Sequence, residues 1–322
     1  MRALLPALLL LATAPAFAQT ASIPRAPDGH PDLQGFWSSH FMTPLERPDD
    51  IKDLIVPRDQ LATVLKKITP EIGEVFDPEI AFNPFPDALL EMNGELRSSM
   101  IIVPTDGKLP YTSLAKATMN HFKAVYDNPE DRPGAERCTE SMNYAPYMIN
   151  SELIPHQIVQ TPANIVLTTE DLDPARIVAL DGPHSSSNVP PDTVRSLAGY
   201  ARGKWDGDTL VVTTDHIRIT DQRGVTWRGG AMATEDSRII ERFSLISADQ
   251  LLYQFTIEDP SLYNKPWLGE YVMTRSLRPV WEYACHEGNH GIVGILTAAR
   301  MGRQEEKPKT PDPASPTVAS KP

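Results

Sequence analysis

The feature that most constrains the fold is a series of short β-branched and aromatic runs that begins near Gln157. Such runs, bounded by turn residues, are typical of β-strands. The clearest hairpin turns at Asp206-Gly207, because glycine readily adopts the positive φ that a tight turn needs. We predict strands near Ile158–Val159, Ile165–Thr169, Arg176–Leu180, Gly199–Trp205, Thr209–Thr214, Arg238–Leu245, Leu251–Ile257, Gly269–Thr274 and Val280–His286.

The predicted strands follow one another without long helices between them, which indicates an antiparallel meander. Closing such a sheet removes its exposed edges, so we predict a mainly β fold with a curved or closed antiparallel sheet, either a lipocalin-like barrel or a sandwich. Apolar residues at helical spacing after Asn289 predict a C-terminal helix. We assign residues 157–303 to this β domain and its helix, and residues 304–322 to a tail that is disordered by composition.

The segment of residues 19–156 is rich in proline and short of regular periodicity. Segments of this kind usually run over a domain surface as loops and short helices. Apolar spacing predicts one helix over Val56–Ile68 and another over Ser113–Tyr126. We therefore expect a proline-rich wrap around the β domain.

Residues 1–18 match a secretory signal peptide, with Arg2 ahead of an apolar run and Ala16-Phe17-Ala18 as the cleavage site. The sequence contains no second apolar segment long enough to anchor the chain. We expect a periplasmic or secreted protein without membrane insertion. In an oxidising compartment Cys138 and Cys285 most simply form one disulfide, and the alternative is a reactive Cys285.

Charge and missing motifs exclude several classes of function. The formal net charge is −12, which repels phosphate backbones and makes nucleic acid an unsuitable partner. The sequence has no glycine-rich phosphate loop, G-x-S-x-G elbow, dinucleotide fingerprint or C-x-x-C pair. Phosphoryl transfer, standard serine hydrolysis and Rossmann redox chemistry are disfavoured, and we expect no cofactor.

The segment Trp281–His290 combines a cysteine, two histidines and two carboxylates. His286 to His290 matches H-E-x-x-H, the zinc-protease helix. However, Gly288 and Asn289 disfavour a helix interior, and Asn289 is better interpreted as the N-cap of the following helix. We therefore expect no metal here, with a zinc-dependent hydrolase kept as an alternative.

We place the candidate catalytic centre at His286 and Glu287, at the junction of the last strand and the final helix. His286 would transfer the proton, Glu287 would orient the His286 side chain, and His156 or Tyr283 would be a second proton donor. Barrels of about eight strands can hold one small ligand. The candidate ligand-binding residues, which core packing or solvated loops would equally explain, are Trp205, Tyr253, Trp267, Trp281 and His184.

Several motifs together resemble a widespread family of exported bacterial proteins without an established common function. They are Pro31-Asp32-Leu33-Gln34-Gly35-Phe36-Trp37, Thr43-Pro44-Leu45-Glu46-Arg47-Pro48, Pro129-Glu130-Asp131-Arg132-Pro133-Gly134-Ala135-Glu136-Arg137-Cys138, Gln157-Ile158-Val159-Gln160-Thr161-Pro162, Trp205-Asp206-Gly207-Asp208-Thr209-Leu210-Val211-Val212 and Glu282-Tyr283-Ala284-Cys285-His286-Glu287-Gly288-Asn289. The resemblance spans roughly residues 23–300 and implies an exported, β-rich protein rather than any one reaction. His290 departs from the family pattern, which has tyrosine at this position.

These observations predict an exported protein that acts on a small, partly apolar molecule, aromatic or terpenoid-like, by cofactor-free acid–base chemistry. A lyase, isomerase, hydratase or hydrolase would fit. The first alternative is a periplasmic protein that binds such a molecule without changing it. The second is the zinc-dependent hydrolase built on the His286–His290 segment.

Overall fold

A computed structural model describes residues 22–68, 88–124, 137–138, 145–146, 155–170, 175–181, 191–219, 226–228, 231–282 and 284–305. The predicted signal peptide and most of the predicted tail lie outside these ranges. The fold is mainly β, as predicted. The strands are β1 (Gly35–Ser38), β2 (Ile55–Val56), β3 (Glu91–Met92), β4 (Glu95–Arg97), β5 (Ile101–Val103), β6 (His156–Gln160), β7 (Asn164–Thr169), β8 (Arg176–Leu180), β9 (Tyr200–Asp206), β10 (Thr209–Asp215), β11 (Thr226–Arg228), β12 (Ala231–Ala233), β13 (Arg238–Leu245), β14 (Gln250–Glu258) and β15 (Trp267–Ser276).

Nine of these strands form a closed barrel in the order β1-β6-β7-β8-β9-β10-β13-β14-β15, which is completed by pairing of β1 with β15. Strand β5 adds to the side of β15. Inward-facing residues alternate along the strands, so that Ile239 and Phe243 of β13 are fully buried and Ile240 between them is not. The core of the molecule therefore lies inside the barrel.

Strand β1 was not predicted, because it lies in the proline-rich wrap and has only four residues. It occupies the gap between β6 and β15, where Trp37 is directly opposite both His156 and Arg275. Four residues are too short for an alternating pattern to stand out in a sequence. The N-terminal segment is thus part of the barrel wall as well as its cover.

Eight of the nine predicted strands are present, and the ninth, Val280–His286, is wrong. Residues 277–282 form no strand, and Cys285–Gly288 forms the short helix α3. Pro279 cannot donate a ladder hydrogen bond, and the Trp281 backbone N–H donates to the Glu170 carboxylate instead of to a neighbouring strand. This segment therefore leaves the sheet.

One pairing departs from the predicted meander, since β8 and β9 are parallel. Parallel neighbours require a long connection that brings the chain back to the same end of the sheet. The chain between Leu180 and Tyr200 makes this connection, and of it residues 181 and 191–199 are described. Both strands consequently start at the same end of the barrel, β8 at Arg176 and β9 at Tyr200.

The described residues also include three longer helices: α1 (Leu61–Ile68), α2 (Ser113–Ala124) and α4 (Gly291–Glu305). Each coincides with a predicted helix, although the first five residues of Val56–Ile68 are the end of β2, Pro57 and a 3₁₀ turn, Arg58–Gln60. None of the helices in the described ranges is long and apolar enough to cross a membrane.

A disulfide joins Cys138 to Cys285, as predicted, with an S–S distance of 2.06 Å. It ties Cys138, between α2 and β6 in the chain, to the start of α3, over a sequence separation of 147 residues. The amide of Asn289 also donates to the Cys138 sulfur at 3.2 Å. Disulfides are typical of exported proteins, so this bond fits the predicted export.

Candidate functional site

The interior of the barrel carries a set of buried polar side chains among its apolar ones. They occupy inward positions on six strands and are at most 4% exposed. We call this set the polar layer, and its members are His156, Thr169, Arg176, Thr214, Glu241 and Tyr253. Charged residues are rarely this buried unless they are paired or functional.

Arg176 and Glu241 form a bidentate ion pair at the centre of the polar layer. The Nη1 and Nη2 atoms of Arg176 donate to the two carboxylate oxygens of Glu241 at 2.5 and 2.9 Å. The side chains are 1% and 0% exposed. Both carboxylate oxygens are therefore engaged, and the pair adds no net charge to the barrel interior.

Tyr253 extends this pair, because its hydroxyl donates to Oε1 of Glu241 at 2.7 Å. Burial first, and then the negative charge of Glu241, raise the pKa of Tyr253 well above its ordinary value. The phenol is therefore protonated at neutral pH. Its ring packs edge-on against Tyr271 at 5.0 Å and next to Phe243 and Phe255, which makes the surroundings of the hydroxyl aromatic.

His156 lies at the first position of β6, directly opposite Thr169 of β7. Burial, with a smaller contribution from the positive charge of Arg176, lowers the pKa of His156 to about 4. The imidazole is therefore neutral at physiological pH, with one nitrogen as donor and the other as acceptor. A neutral imidazole can polarise a carbonyl or hydroxyl by hydrogen bonding.

The hydroxyls of Thr169 and Thr214 have no hydrogen-bond partner within the described part of the chain. Thr214 is 0% exposed and Thr169 is 4% exposed. A buried hydroxyl without a partner costs about 1–3 kcal/mol. Two such hydroxyls at inward positions of the barrel are what a binding site for a polar atom of a guest molecule would present.

The structure separates the predicted catalytic residues. His156 is buried inside the barrel, whereas His286 and Glu287 are exposed on α3 outside the sheet. Tyr283 lies outside the described residues, as does His184 among the predicted ligand-binding residues. Of the predicted catalytic set, only His156 therefore belongs to the polar layer.

The predicted aromatic ligand-binding residues lie in three different places. Tyr253 is in the polar layer, and Trp267 is fully buried at the start of β15, edge-on to Phe255 at 5.7 Å. Trp205 lies near the far end of β9, at the opposite end of the barrel from Arg176, and stacks on His30 at 4.5 Å. Trp281 is 64% exposed and lies outside the strands.

The H-E-x-x-H segment does not form one helix. Helix α3 ends at Gly288, and Asn289 accepts a hydrogen bond from the Ile292 N–H at 3.3 Å as α4 begins. Asn289 thus caps the final helix, as predicted. His286 and His290 consequently lack the common helical face on which a zinc-protease motif depends. Within the described ranges, no three His, Cys, Asp or Glu side chains are grouped to hold a metal ion.

Arg176 and Glu241 were not among the sequence-predicted site residues, although both lie in predicted strands. The alternation of residues along these strands could have identified them. Glu241 shares a strand face with Ile239 and Phe243, and Arg176 shares one with Val178 and Leu180. A charged residue at an inward position of an alternating strand has to be paired or functional. Their pairing with each other could not be inferred, since it depends on closure of the barrel.

Comparisons with protein-family models, with curated proteins and with solved structures found no match to this chain. The polar layer is therefore interpreted from its own chemistry.

Proposed function

We propose that the protein binds a small, uncharged, partly apolar molecule at the polar layer and acts on it by cofactor-free acid–base chemistry. A lyase, isomerase or hydratase fits best, with an aromatic or terpenoid-like substrate. The observation that carries the proposal is the hydrogen-bonded group Arg176–Glu241–Tyr253 beside a neutral His156, enclosed by aromatic rings. Perturbed titratable groups in an apolar enclosure are typical of active sites.

The charge state of the site supports an uncharged substrate. Arg176 and Glu241 neutralise each other, Tyr253 is protonated and His156 is neutral. A charged guest would have to give up its hydration without meeting an unpaired counter-charge, which is costly in a buried site. The aromatic rings around Tyr253 would pack against its apolar part.

In this proposal Tyr253 and Glu241 move the proton together: the Tyr253 oxygen accepts a proton from the substrate while its own proton shifts along the existing hydrogen bond to the Glu241 carboxylate. Arg176 holds that carboxylate in place from the other side, and His156 hydrogen-bonds to an oxygen of the substrate. The reverse shift returns the proton to another atom of the substrate, so that an isomerisation needs no further reactant. The proposed compartment is the periplasm or the external medium.

The second candidate is a binding protein that leaves its ligand unchanged. It is favoured by the low pKa of His156, because a base with a pKa of about 4 removes protons weakly at neutral pH. It uses the same polar layer.

The test is to incubate the purified protein with a panel of uncharged phenols and terpenoid alcohols or ketones. Mass and absorbance changes report turnover, and tyrosine and tryptophan fluorescence report binding. Tyr253→Phe should reduce turnover by about 10²-fold or more while binding changes little. Tyr263→Phe is the matched control, since its buried hydroxyl donates to the Met232 carbonyl and not to Glu241.

Turnover that is equal in Tyr253→Phe and the wild type would exclude the proposed role of Tyr253. Binding without turnover in the wild type would establish the second candidate. If no compound of the panel binds, or if a charged analogue binds better than its neutral counterpart, the neutral-guest proposal fails.

A further inference from the structure

A second polar cluster lies where β10 ends, on the outer side of the wall, because Thr214 takes the preceding inward position. Nδ1 of His216 lies 2.6 Å from Oδ1 of Asp215, whose carboxylate Arg202 also contacts at 2.5 and 3.3 Å. A carboxylate oxygen only accepts, so the ring nitrogen that faces Asp215 is the donor of this contact. Asp215 therefore fixes the orientation of the His216 ring.

With Nδ1 directed at Asp215, Nε2 is the ring nitrogen of His216 that remains for a ligand. This nitrogen is buried and makes no hydrogen bond within the described residues. Oδ1 of Asp192 lies 3.4 Å away, on a side chain that is 97% exposed. The site thus joins a buried nitrogen to a carboxylate that solvent reaches.

The backbone holds this arrangement in place. His216 has a φ of +53°, a left-handed conformation that few non-glycine residues adopt. The Ser196 N–H donates to the His216 carbonyl at 3.2 Å, and the Arg218 N–H donates to the Ser196 carbonyl at 2.8 Å. These bonds attach the segment that carries Asp192 to the end of β10.

A carboxylate on the far nitrogen is the usual outer partner of a metal-ligating histidine, because it fixes the tautomer and the orientation of the ring. Two ligands bound to a tetrahedral zinc ion at about 2.0–2.1 Å lie roughly 3.3 Å apart. The separation between Nε2 of His216 and Oδ1 of Asp192 is 3.4 Å. We propose that Asp192 and His216 bind a divalent transition-metal ion such as Zn²⁺, with Asp215 as positioning residue and water in the remaining coordination positions.

This site is separate from the polar layer, so its test does not depend on the proposed function. The purified protein is titrated with Zn²⁺ in competition with a chromogenic chelator at neutral pH. We expect one ion to bind through this pair, and long-range ¹⁵N spectra to show the Nε2 signal of one histidine moving.

Three variants test the assigned roles. His216→Asn keeps a residue that tolerates positive φ but removes the imidazole, and Asp192→Ala removes the exposed carboxylate; each should weaken Zn²⁺ binding at least about tenfold. Asp215→Asn keeps both ligands and should weaken binding about 10–100-fold through loss of the outer partner. Should His216→Asn fail to fold, Asp192→Ala still decides the matter, since its side chain is exposed.

The control is the double variant His286→Ala/His290→Ala, which removes both histidines of the rival H-E-x-x-H segment. It should bind Zn²⁺ as tightly as the wild type. The proposal is overturned if His216→Asn or Asp192→Ala binds as tightly as the wild type, or if the double variant abolishes binding.

Discussion

Arg176 and Glu241 lie 65 residues apart in the chain and meet inside the barrel as a fully buried, bidentate ion pair. Buried pairs of this kind cost much of their mutual attraction in desolvation, and well-packed apolar residues are often at least as stabilising. Stability alone therefore does not account for the pair. In the proposed function, the hydrogen bond from Tyr253 to Glu241 gives the pair a role.

Removing one partner of this pair should destabilise the fold strongly. Glu241→Leu leaves the Arg176 guanidinium buried without its carboxylate, and we expect a loss of about 3–5 kcal/mol in the free energy of unfolding. Urea denaturation measures this loss.

The double variant Arg176→Met/Glu241→Leu should recover most of the loss. Glu258→Gln, which breaks the exposed pair with Arg238, is the control and should cost less than about 1 kcal/mol. Equal losses in Glu241→Leu and Glu258→Gln would contradict the assignment of Arg176 and Glu241 as a buried pair.

His156 should make stability depend on pH in a defined window. Its pKa is about 4 in the folded protein and 6.5 as the ordinary value, so the unfolded chain binds the proton more readily. The contribution of the neutral His156 to the free energy of unfolding is fully present above about pH 6.5. It is lost as the pH falls towards 4 and changes no further at lower pH. The loss is about 3 kcal/mol. Denaturation of the wild type at pH 7 and pH 4.5 should differ by more than the same comparison for His156→Gln. Identical pH dependence of the two proteins would rule out a buried neutral imidazole.

The Cys138–Cys285 bond should contribute substantially to stability, because it closes a loop with a sequence separation of 147 residues. Loop-closure entropy predicts a loss of roughly 4–5 kcal/mol for Cys138→Ala/Cys285→Ala. Chemical denaturation measures this loss. Thiol titration of the denatured wild type without reductant should find no free cysteine, and the discovery of two would refute the pairing.

Gly269 should not tolerate a side chain. A Cβ at this position would lie 2.5 Å from Cζ of Phe255, its neighbour across the β14–β15 pair. Gly269→Ala should therefore destabilise the protein by about 1–3 kcal/mol through overpacking. Gly294→Ala is the control, because nothing lies within 4 Å of the place that its methyl group would take on helix α4, and alanine favours helices by about 1 kcal/mol. Thermal melting should shift in opposite directions for the two variants.

Much of the barrel could be predicted from sequence because its strands alternate clearly and are joined by turn residues. Arg238–Leu245 and Arg176–Leu180 were predicted with the bounds that the structure gives them. Strand β1 could not be predicted, since its strand character depends on β6 and β15 lying on either side of it. The segment after Ser276 was misassigned because apolar residues around Pro279 imitate a strand.

The candidate site was less predictable than the fold. His156 was identified because histidine is conspicuous in a sequence, but its burial and its lowered pKa depend on the closed barrel. Arg176 and Glu241 were overlooked as ordinary charged residues. His286 and Glu287 are close together in the chain, yet they lie on an exposed helix, whereas the polar layer is assembled from residues far apart in sequence.

The position of β1 has a consequence for the order of events during synthesis. Arg275 of β15 donates a hydrogen bond to the carbonyl of Gln34, just ahead of β1, across 241 residues of chain. Strand β1 is synthesised first but can complete its pairing only after β15 has been synthesised. Contacts this distant in sequence also form slowly. We expect nascent chains that end before β15 to leave open to hydrogen exchange those amides of β1 that would pair with β15, while β6 can still pair on the other side. The proposed export fits this order, because a barrel that closes only with β15 stays open until that strand has been made.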